Sequence, residues 1–335
     1  MFDQLPPILG EDPAFLDAVE HCSRMATIDR SCLVVGERGT GKELFTARLH
    51  YLSPRWNGPL IKINCAALSE TLLESELFGH ELGAFTGAQK KRAGRFELAD
   101  SGTLVLDEIA NASAAVQEKI LRVIEYGEFE RVGGTETIRV DVRVIGAANV
   151  DLPSLAKAGK FRADLLDRLA FDVITIPPMR SRPIDILPMA EFFALDVMRD
   201  MEMDAFPGFS DAARQTLLSH TWPGNVRELR NVVERSIFYA PSDGNQINDV
   251  AIDPFNSPWR PPASLEGSSE IFDIPPPSAP PSFGSVNFSD TVAEFETSLI
   301  TKAMNETRHV QKDAANRLGL GYHQFRRLLK KLNIK

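Results

Sequence analysis

Five short, nearly continuous apolar runs mark the first half of the chain: Cys32 to Val35, Leu60 to Ile63, Thr103 to Leu106, Val142 to Ala147 and Val173 to Ile176. A strand covered on both faces has no polar side. Runs of this length, separated by helical patterns, therefore predict the buried strands of a parallel sheet in an α/β fold. Between Glu128 and Val140, Gly133-Gly134 separates two strand-like runs and predicts a hairpin. After Pro177-Pro178 the strand runs stop. Helical stretches follow over Ile184 to Met201, Asp211 to Ser219 and Val226 to Tyr239, with Ser210 or Asp211 placed to cap the second and Asn225 the third. Residues 1–177 are thus expected to form the α/β body, and 178–255 a small helical subdomain.

The pattern lapses over residues 256–290. Eight of the 22 prolines lie there, mixed with Ser and Gly, a composition that favours solvated backbone and buries too little apolar surface to fold alone. We read this segment as a linker. Residues 291–335 return to helix: Thr291 to Thr307 is amphipathic and suits dimerisation, Gln311 to Leu318 is short, Gly319-Leu320-Gly321 turns the chain, and Tyr322 to Leu332 forms a last helix. Ala314 and Ala315 permit close helix crossing over Leu318, Leu320, Phe325 and Leu329. This is the pattern of a helix-turn-helix whose second helix enters the DNA major groove. Tyr322, His323, Gln324, Arg326 and Arg327 are candidates for base or phosphate contact, and Lys330 and Lys331 for phosphate. A basic helix with no DNA role would explain the charge but not the Ala-Gly turn.

Charge sharpens that division. From Arg308 to Lys335 there are eight Lys or Arg and one acid, so this stretch carries +7; with −9 for the whole chain, the preceding residues carry −16. A basic module on an acidic body points to a polyanionic partner for the tail only. Cys22, Cys32 and Cys65 form no C-x-x-C and stand near no His pair at zinc spacing, so neither a disulfide framework nor a metal cage is indicated. The acidic, Pro-containing start predicts no signal peptide, and no apolar run has the length of a membrane span. The expected compartment is the cytoplasm, with no membrane insertion.

Candidate chemistry begins after the first strand. Gly36-Glu37-Arg38-Gly39-Thr40-Gly41-Lys42-Glu43 leads into a helix, which is G-x-x-x-x-G-K in the context that motif needs. Its glycines allow successive backbone amides to cradle phosphates, and Lys42 reaches the β and γ phosphates of a nucleotide such as ATP. Glu43 stands where Ser or Thr normally ligates Mg. Leu104-Val105-Leu106-Asp107-Glu108 places an acidic pair at a strand's C-terminal end, where α/β sheets bind ligands. Asp107 is the candidate Mg ligand and Glu108 the candidate general base. In isolation such a pair is more often a helix cap, but downstream of a phosphate loop it is not.

Weaker signals surround these. Asn64 ends the second strand and is placed either to hydrogen-bond Glu108 or simply to satisfy a strand end. Arg162 and Arg168 flank an apolar stripe; either they pair with Asp164 and Asp167 on a solvated face, or they reach a neighbouring subunit's γ phosphate. Arg227 opens a helix after Trp222-Pro223-Gly224-Asn225 and is placed to sense nucleotide. Gly83-Ala84-Phe85-Thr86-Gly87-Ala88 suits neither helix nor strand, and is read as a mobile loop with an exposed apolar tip or as a turn that tucks Phe85 into the core.

Taken together, these motifs resemble the bacterial enhancer-binding proteins, the AAA+ ATPases that activate sigma-54 RNA polymerase. The likeness covers about Leu9 to Tyr239 and rests on Gly36 to Glu43, Glu76 to Glu81, Gly83 to Ala88, Gly102 to Glu108, Phe161 to Leu165 and Trp222 to Leu229. It implies ATP hydrolysis, Mg, a hexameric ring, enhancer DNA as a partner, and contact with sigma-54 through Phe85 and Thr86. In that family Glu also follows the loop lysine, which removes the objection raised by Glu43. Tyr51 to Trp56, Val123 to Gly134 and Gly321 to Arg326 narrow the likeness to activators of phage shock operons, and so does the short stretch before the first strand. The narrower likeness implies restraint in trans by phage shock protein A, with Trp56 either the contact or packed on its own helix. Ala147-Ala148-Asn149 departs from the family's usual Thr-Asn, leaving polar sensing of nucleotide to Asn149. Two other functions remain open: a DNA-binding regulator whose ATPase fold does not remodel sigma-54, and a helicase or unfoldase.

Overall fold

The computed structural model describes residues 8–85, 88, 90–201, 206–240, 245–255, 259, 288–307 and 310–332. Thr86, Gly87 and nearly all of the expected linker lie outside them. The chain divides into two compact units, Met1–Ser257 and Pro258–Lys335.

In the first unit, Asp12 caps α1 (Pro13–Ala26) by accepting from the Ala14 amide at 3.0 Å, with Pro13 in the first turn where its missing N–H is harmless. There follow β1 (Cys32–Val35), α2 (Lys42–Tyr51), β2 (Leu60–Asn64), α3 (Glu70–Phe78), α4 (Arg95–Leu98), β3 (Thr103–Asp107) and α5 (Ala114–Tyr126). The hairpin β4 (Glu128–Glu130) and β5 (Thr137–Arg139) precedes β6 (Arg143–Ala148), α6 (Leu152–Lys157), α7 (Ala163–Leu169) and β7 (Val173–Thr175). The sheet runs β2-β3-β6-β1-β7, every pairing parallel, as the apolar runs predict.

The two faces of the sheet explain why the three central runs, β1, β3 and β6, do not alternate, whereas the edge strands β2 and β7 expose Lys62, Val173 and Thr175. Leu33, Leu104, Leu106 and Val144 pack with α3, α5 and α7 on one side, through Leu73, Phe78, Val116, Ile120, Leu165 and Leu169. Cys32, Val34, Val105 and Ile145 pack on the other, against Phe15, Cys22 and Met25 of α1 and Phe45 and Leu49 of α2. The three cysteines are buried and unbridged, and burial pushes the Cys22 and Cys65 thiols up to about 12 and Cys32 to about 11. The short helices α3, α4, α6 and α7 have no counterpart in the sequence reading. They span one to three turns, too few to establish a period.

The helical subdomain consists of α8 (Ile186–Asp200), α9 (Asp211–Ser219) and α10 (Asn225–Phe238). Ser210 caps α9 by accepting from the Ala213 amide at 3.3 Å. Asn225 does not cap α10: Gly224 holds that position, and Asn225 sits in left-handed backbone at φ 54° with its side chain turned elsewhere. Trp222 is fully buried, and its indole donates to the Leu217 carbonyl at 2.9 Å.

The second unit contains α11 (Phe288–Glu306), α12 (Gln311–Arg317) and α13 (Tyr322–Lys331) around Ile300, Ala303, Met304, Ala314, Ala315, Phe325 and Leu329. Gly319, at φ 67°, turns the chain between the last two helices. Among the described residues of the chain, no helix is long and apolar enough to cross a membrane.

Arg143 joins elements of the first unit. At 3% exposed, it donates to the carbonyls of Met25, Ala26, Arg30 and Leu49 at 3.0 to 3.2 Å, satisfying the last turns of α1 and α2 from the start of β6. Arg143→Met should therefore leave several buried carbonyls unpaired and lower unfolding stability by about 3 kcal/mol. Urea titration would show this as a lower midpoint at unchanged slope; an unchanged midpoint would mean that water replaces the guanidinium.

Candidate active site

The phosphate loop leaves β1 at Gly36, whose amide bonds the Ala148 carbonyl of the neighbouring strand, and ends at Gly41, which precedes α2 at φ 96°. For the loop amides to face a bound anion, its carbonyls must turn outward and find other partners. They do. Lys42 Nζ donates to the carbonyls of Gly36 at 2.8 Å and Glu37 at 3.0 Å. Asn225 Nδ2 donates to the Arg38 carbonyl at 3.0 Å, the Val226 amide to Gly39 at 3.0 Å, and Arg182 Nη2 more loosely to Thr40 at 3.5 Å. Three of these five carbonyls are thus held by the helical subdomain.

That grip extends to side chains. Glu37 receives a bidentate pair from Arg180 at 2.8 and 2.5 Å and a bond from Asn225 at 3.2 Å, and these hold its carboxyl down at about 2. Asn225, fully buried, also accepts from the Met179 amide at 2.8 Å. Gly39 lies so near that a β-carbon there would meet the Gly224 carbonyl at 2.2 Å. Arg227 follows, exposed, and its charge is felt at Lys42.

Opposite the loop, Asn64 and Asp107 are paired in register at the ends of β2 and β3. Asp107 Oδ1 accepts from the Glu108 amide at 2.9 Å, and Glu108 takes left-handed backbone at φ 50°, which costs a non-glycine residue about 1 kcal/mol or more. Asn64 does not meet Glu108 here. Its Nδ2 lies 3.4 Å from Asp107 Oδ2 and its Oδ1 accepts from the Ala66 amide, because the register sets it beside Asp107. Glu108 instead faces Arg38 at 4.0 Å. A cleft of about 210 Å³ opens among Lys42, Glu43, Thr46, Lys62, Asn64 and Asp107. Burial draws the Lys42 ammonium below its usual range, opposed by Asp107 and Glu108. Asn149, half-buried, follows β6 at the level of Gly36. Among the described residues no cluster of three His, Cys, Asp or Glu side chains is arranged to hold a metal ion unaided.

The remaining candidates lie elsewhere. Arg162 pairs with Asp164 at 2.7 Å and Glu118 at 3.5 Å; Arg168 pairs with Glu125 at 2.8 Å rather than Asp167. In the hexapeptide, Phe85 is half-buried with its ring edge-on to His80 at 5.1 Å, so it is stowed rather than displayed. Just before the hexapeptide, Leu82 is 69% accessible. Ala88 is buried, and Thr86 and Gly87 lie outside the described residues. Trp56 is 42% exposed in a turn whose Arg55 binds Asp29 and Asp141. In the second unit Tyr322, His323, Gln324, Arg326, Arg327 and Lys330 are all exposed along α13. Sequence reasoning missed Arg180, Arg182 and the role of Asn225. The available signal was the Arg-x-Arg just after Pro177-Pro178, and an Asn beside Gly, where left-handed backbone is tolerated.

The chain matches the sigma-54 interaction domain over residues 8–176, the AAA+ ATPase lid domain over 180–255 and the Fis family of bacterial regulatory proteins over 291–332. It is 52% identical to the Psp operon transcriptional activator of Escherichia coli (strain K12), over 98% of each chain. It is 44% identical to the Nif-specific regulatory protein of Azotobacter vinelandii over 98% of its own length, and spans 59% of that protein. The crystal structure of NtrX from Brucella abortus in complex with ATP aligns at a TM-score of 0.68 and 29% identity, over 98% of this chain and 70% of that one.

Gly39→Ala should fail in two ways. Its backbone is at φ 76° and the new methyl strikes the Gly224 carbonyl. We expect at least about 1 to 2 kcal/mol of lost stability, read as a lower calorimetric melting temperature, together with loss of nucleotide binding by equilibrium dialysis. Normal binding would show that the subdomain is not packed on the loop in solution.

Proposed function

The chain belongs to the sigma-54 interaction-domain family of AAA+ ATPases, and from that premise we propose that it is an enhancer-binding activator that spends ATP hydrolysis on remodelling the closed complex of sigma-54 RNA polymerase at a phage shock operon. The observation that carries the reading is the placement of Asp107 and Glu108 at a strand end opposite a phosphate loop whose outward carbonyls are already satisfied.

The chemistry divides among these residues. Loop amides beyond Gly36, through Gly41, and Lys42 bind the β and γ phosphates, and Arg227 reads nucleotide from the lid. Glu108 accepts a proton as water oxygen bonds to the γ phosphorus and the bond to the β-γ bridging oxygen breaks, giving ADP and phosphate. Asp107 would hold Mg, whose charge would offset that of the γ phosphate. Asn64, already on Asp107, and Asn149 respond to the γ phosphate. Arg162 and Arg168 complete a neighbouring subunit's site in a hexameric ring. Both lie among acidic partners at the surface, exposed enough to exchange them for phosphate.

Output goes through Gly83 to Ala88, whose Phe85 leaves His80 to meet sigma-54. Tyr322 to Lys330 dock the second unit on enhancer DNA. Trp56 is exposed for phage shock protein A, and the compartment is the cytoplasm.

Glu108→Gln should lower steady-state hydrolysis by at least about a hundredfold while leaving ATP binding intact. A phosphate-release assay beside dialysis with labelled ATP separates the two. In the presence of a transition-state analogue of ATP, the unsubstituted chain should retain sigma-54 on gel filtration. Hydrolysis without sigma-54 retention would favour a different AAA+ machine, and undiminished hydrolysis by the variant would remove Glu108 from the reaction.

A further inference from the structure

Glu37 is a carboxylate in the second position of a loop built to hold polyphosphate. A negative charge there opposes its ligand unless it is cancelled and held aside. The structure supplies a partner. Arg180, in the turn Met179–Ser181 at the start of the lid, donates from both terminal nitrogens to the two Glu37 oxygens, and Asn225 adds a third bond to the same carboxylate. A bidentate guanidinium fixes the direction as well as the charge of its partner. The carboxylate therefore faces the lid, while the Glu37 carbonyl serves Lys42 and accepts from the Thr40 amide and hydroxyl within the loop.

We infer that Arg180 is a positioning residue for ATP binding, which cancels the Glu37 charge and holds that carboxylate out of the phosphate site. The inference rests on the ATPase reading above. Arg182 and Asp185 brace the same turn. Arg182 is fully buried with its guanidinium 4.4 Å over the Phe15 ring, and Asp185 Oδ1 accepts from the amides of Glu11 and Asp12 at 2.6 and 3.0 Å. Ile8 packs into the core behind the sheet and Leu9 into the lid core, so this entry segment ties the two bodies together near the Asp185 turn. Arg180 itself is half exposed, so its replacement does not open a cavity.

The test is a charge cycle read by nucleotide binding. Affinity for a fluorescent ATP analogue is measured by titration for the full chain, Arg180→Met, Glu37→Gln and the double variant, with melting temperatures as a folding control. Arg180→Met should bind about tenfold more weakly, because Glu37 is released toward the phosphates. Its defect should appear in the KM for ATP more than in kcat. Glu37→Gln in the same chain should recover most of that loss, since the amide carries no charge; a merely structural clasp would give a double variant no better than the single one. Arg180→Met binding as tightly as the parent, or a double variant with no recovery, overturns the inference. If the unsubstituted chain binds no nucleotide, the ATPase reading falls and takes this inference with it, an outcome distinguishable because the parent fails before any variant is compared.

Discussion

A phosphate loop must turn successive amides toward one point, and each amide turned inward sends a carbonyl outward. That constraint organises the first unit. An unpaired buried carbonyl costs about as much as a lost hydrogen bond, so the loop needs an external set of donors. Lys42 serves two carbonyls from within, and Asn225, Val226 and Arg182 serve three from the lid. The lid is consequently part of the loop's structure. Its own rigidity comes from local packing around the same turn: Trp222 buried beneath His220 at 4.7 Å, and Glu228 bonding both His220 and the Gly224 amide.

The sheet satisfies the other half of the constraint. Parallel register brings Asn64 beside Asp107 and Ala148 beside Val35, so that the phosphate loop, the acidic pair, Asn64 and Asn149 emerge at one edge. This much was legible in the sequence, because strands buried on both faces lose their alternation and announce themselves as apolar runs. The candidate acid pair was legible for a related reason: a polar pair directly after Leu104-Val105-Leu106 has nowhere to go but the strand end. Partners across the fold were not legible. Asn225 lies far along the chain from Arg38, and nothing in a Gly-Asn dipeptide names the carbonyl that it will bind. Asn64 met Asp107 rather than Glu108 for the same reason, since register decides neighbours and the sequence specifies register only through the folded sheet.

The hexapeptide shows where composition leaves two arrangements open. Glycines on either side of Phe85 allow either an exposed apolar tip or a tucked ring, and the half-buried ring rests edge-on against His80, whose Nδ1 is in turn bonded to Ser75 at 2.8 Å. An aromatic pair of this kind is worth about 0.5 to 1.5 kcal/mol beyond its burial, enough to bias a loop but not to lock it. The stem below is held differently. His80 bridges both Arg92 and Val132, and Ala84 sits against Gly133, where a β-carbon would approach it to 2.7 Å. The loop stem and the β4-β5 hairpin are therefore packed as neighbours, through backbone at His80 and Ala84 and through the Glu81–Arg131 pair.

The charges around that stem fit the same logic. Glu81 pairs with Lys91 at 2.9 Å and Arg131 at 3.0 Å, Arg131 also grips Glu97, and Glu76 binds Arg92 and Arg95. Those hydrogen bonds hold the Glu81 carboxyl below its ordinary range and the Arg131 guanidinium above its own. Arg131 and Glu97 are mostly covered, whereas Lys91 and Arg92 reach solvent and can exchange partners. A buried hydrophobic contact would fix the stem more firmly, but at a larger cost for any movement. The phosphate loop is gripped through backbone carbonyls and a buried asparagine, whereas the loop at Gly83 to Ala88 has a ring edge, backbone bonds and the ion pairs of its stem. The two loops are thus held by contacts of different kinds: the first by bonds to its carbonyls from a buried subdomain face, the second by a ring edge and by side-chain ion pairs around its stem.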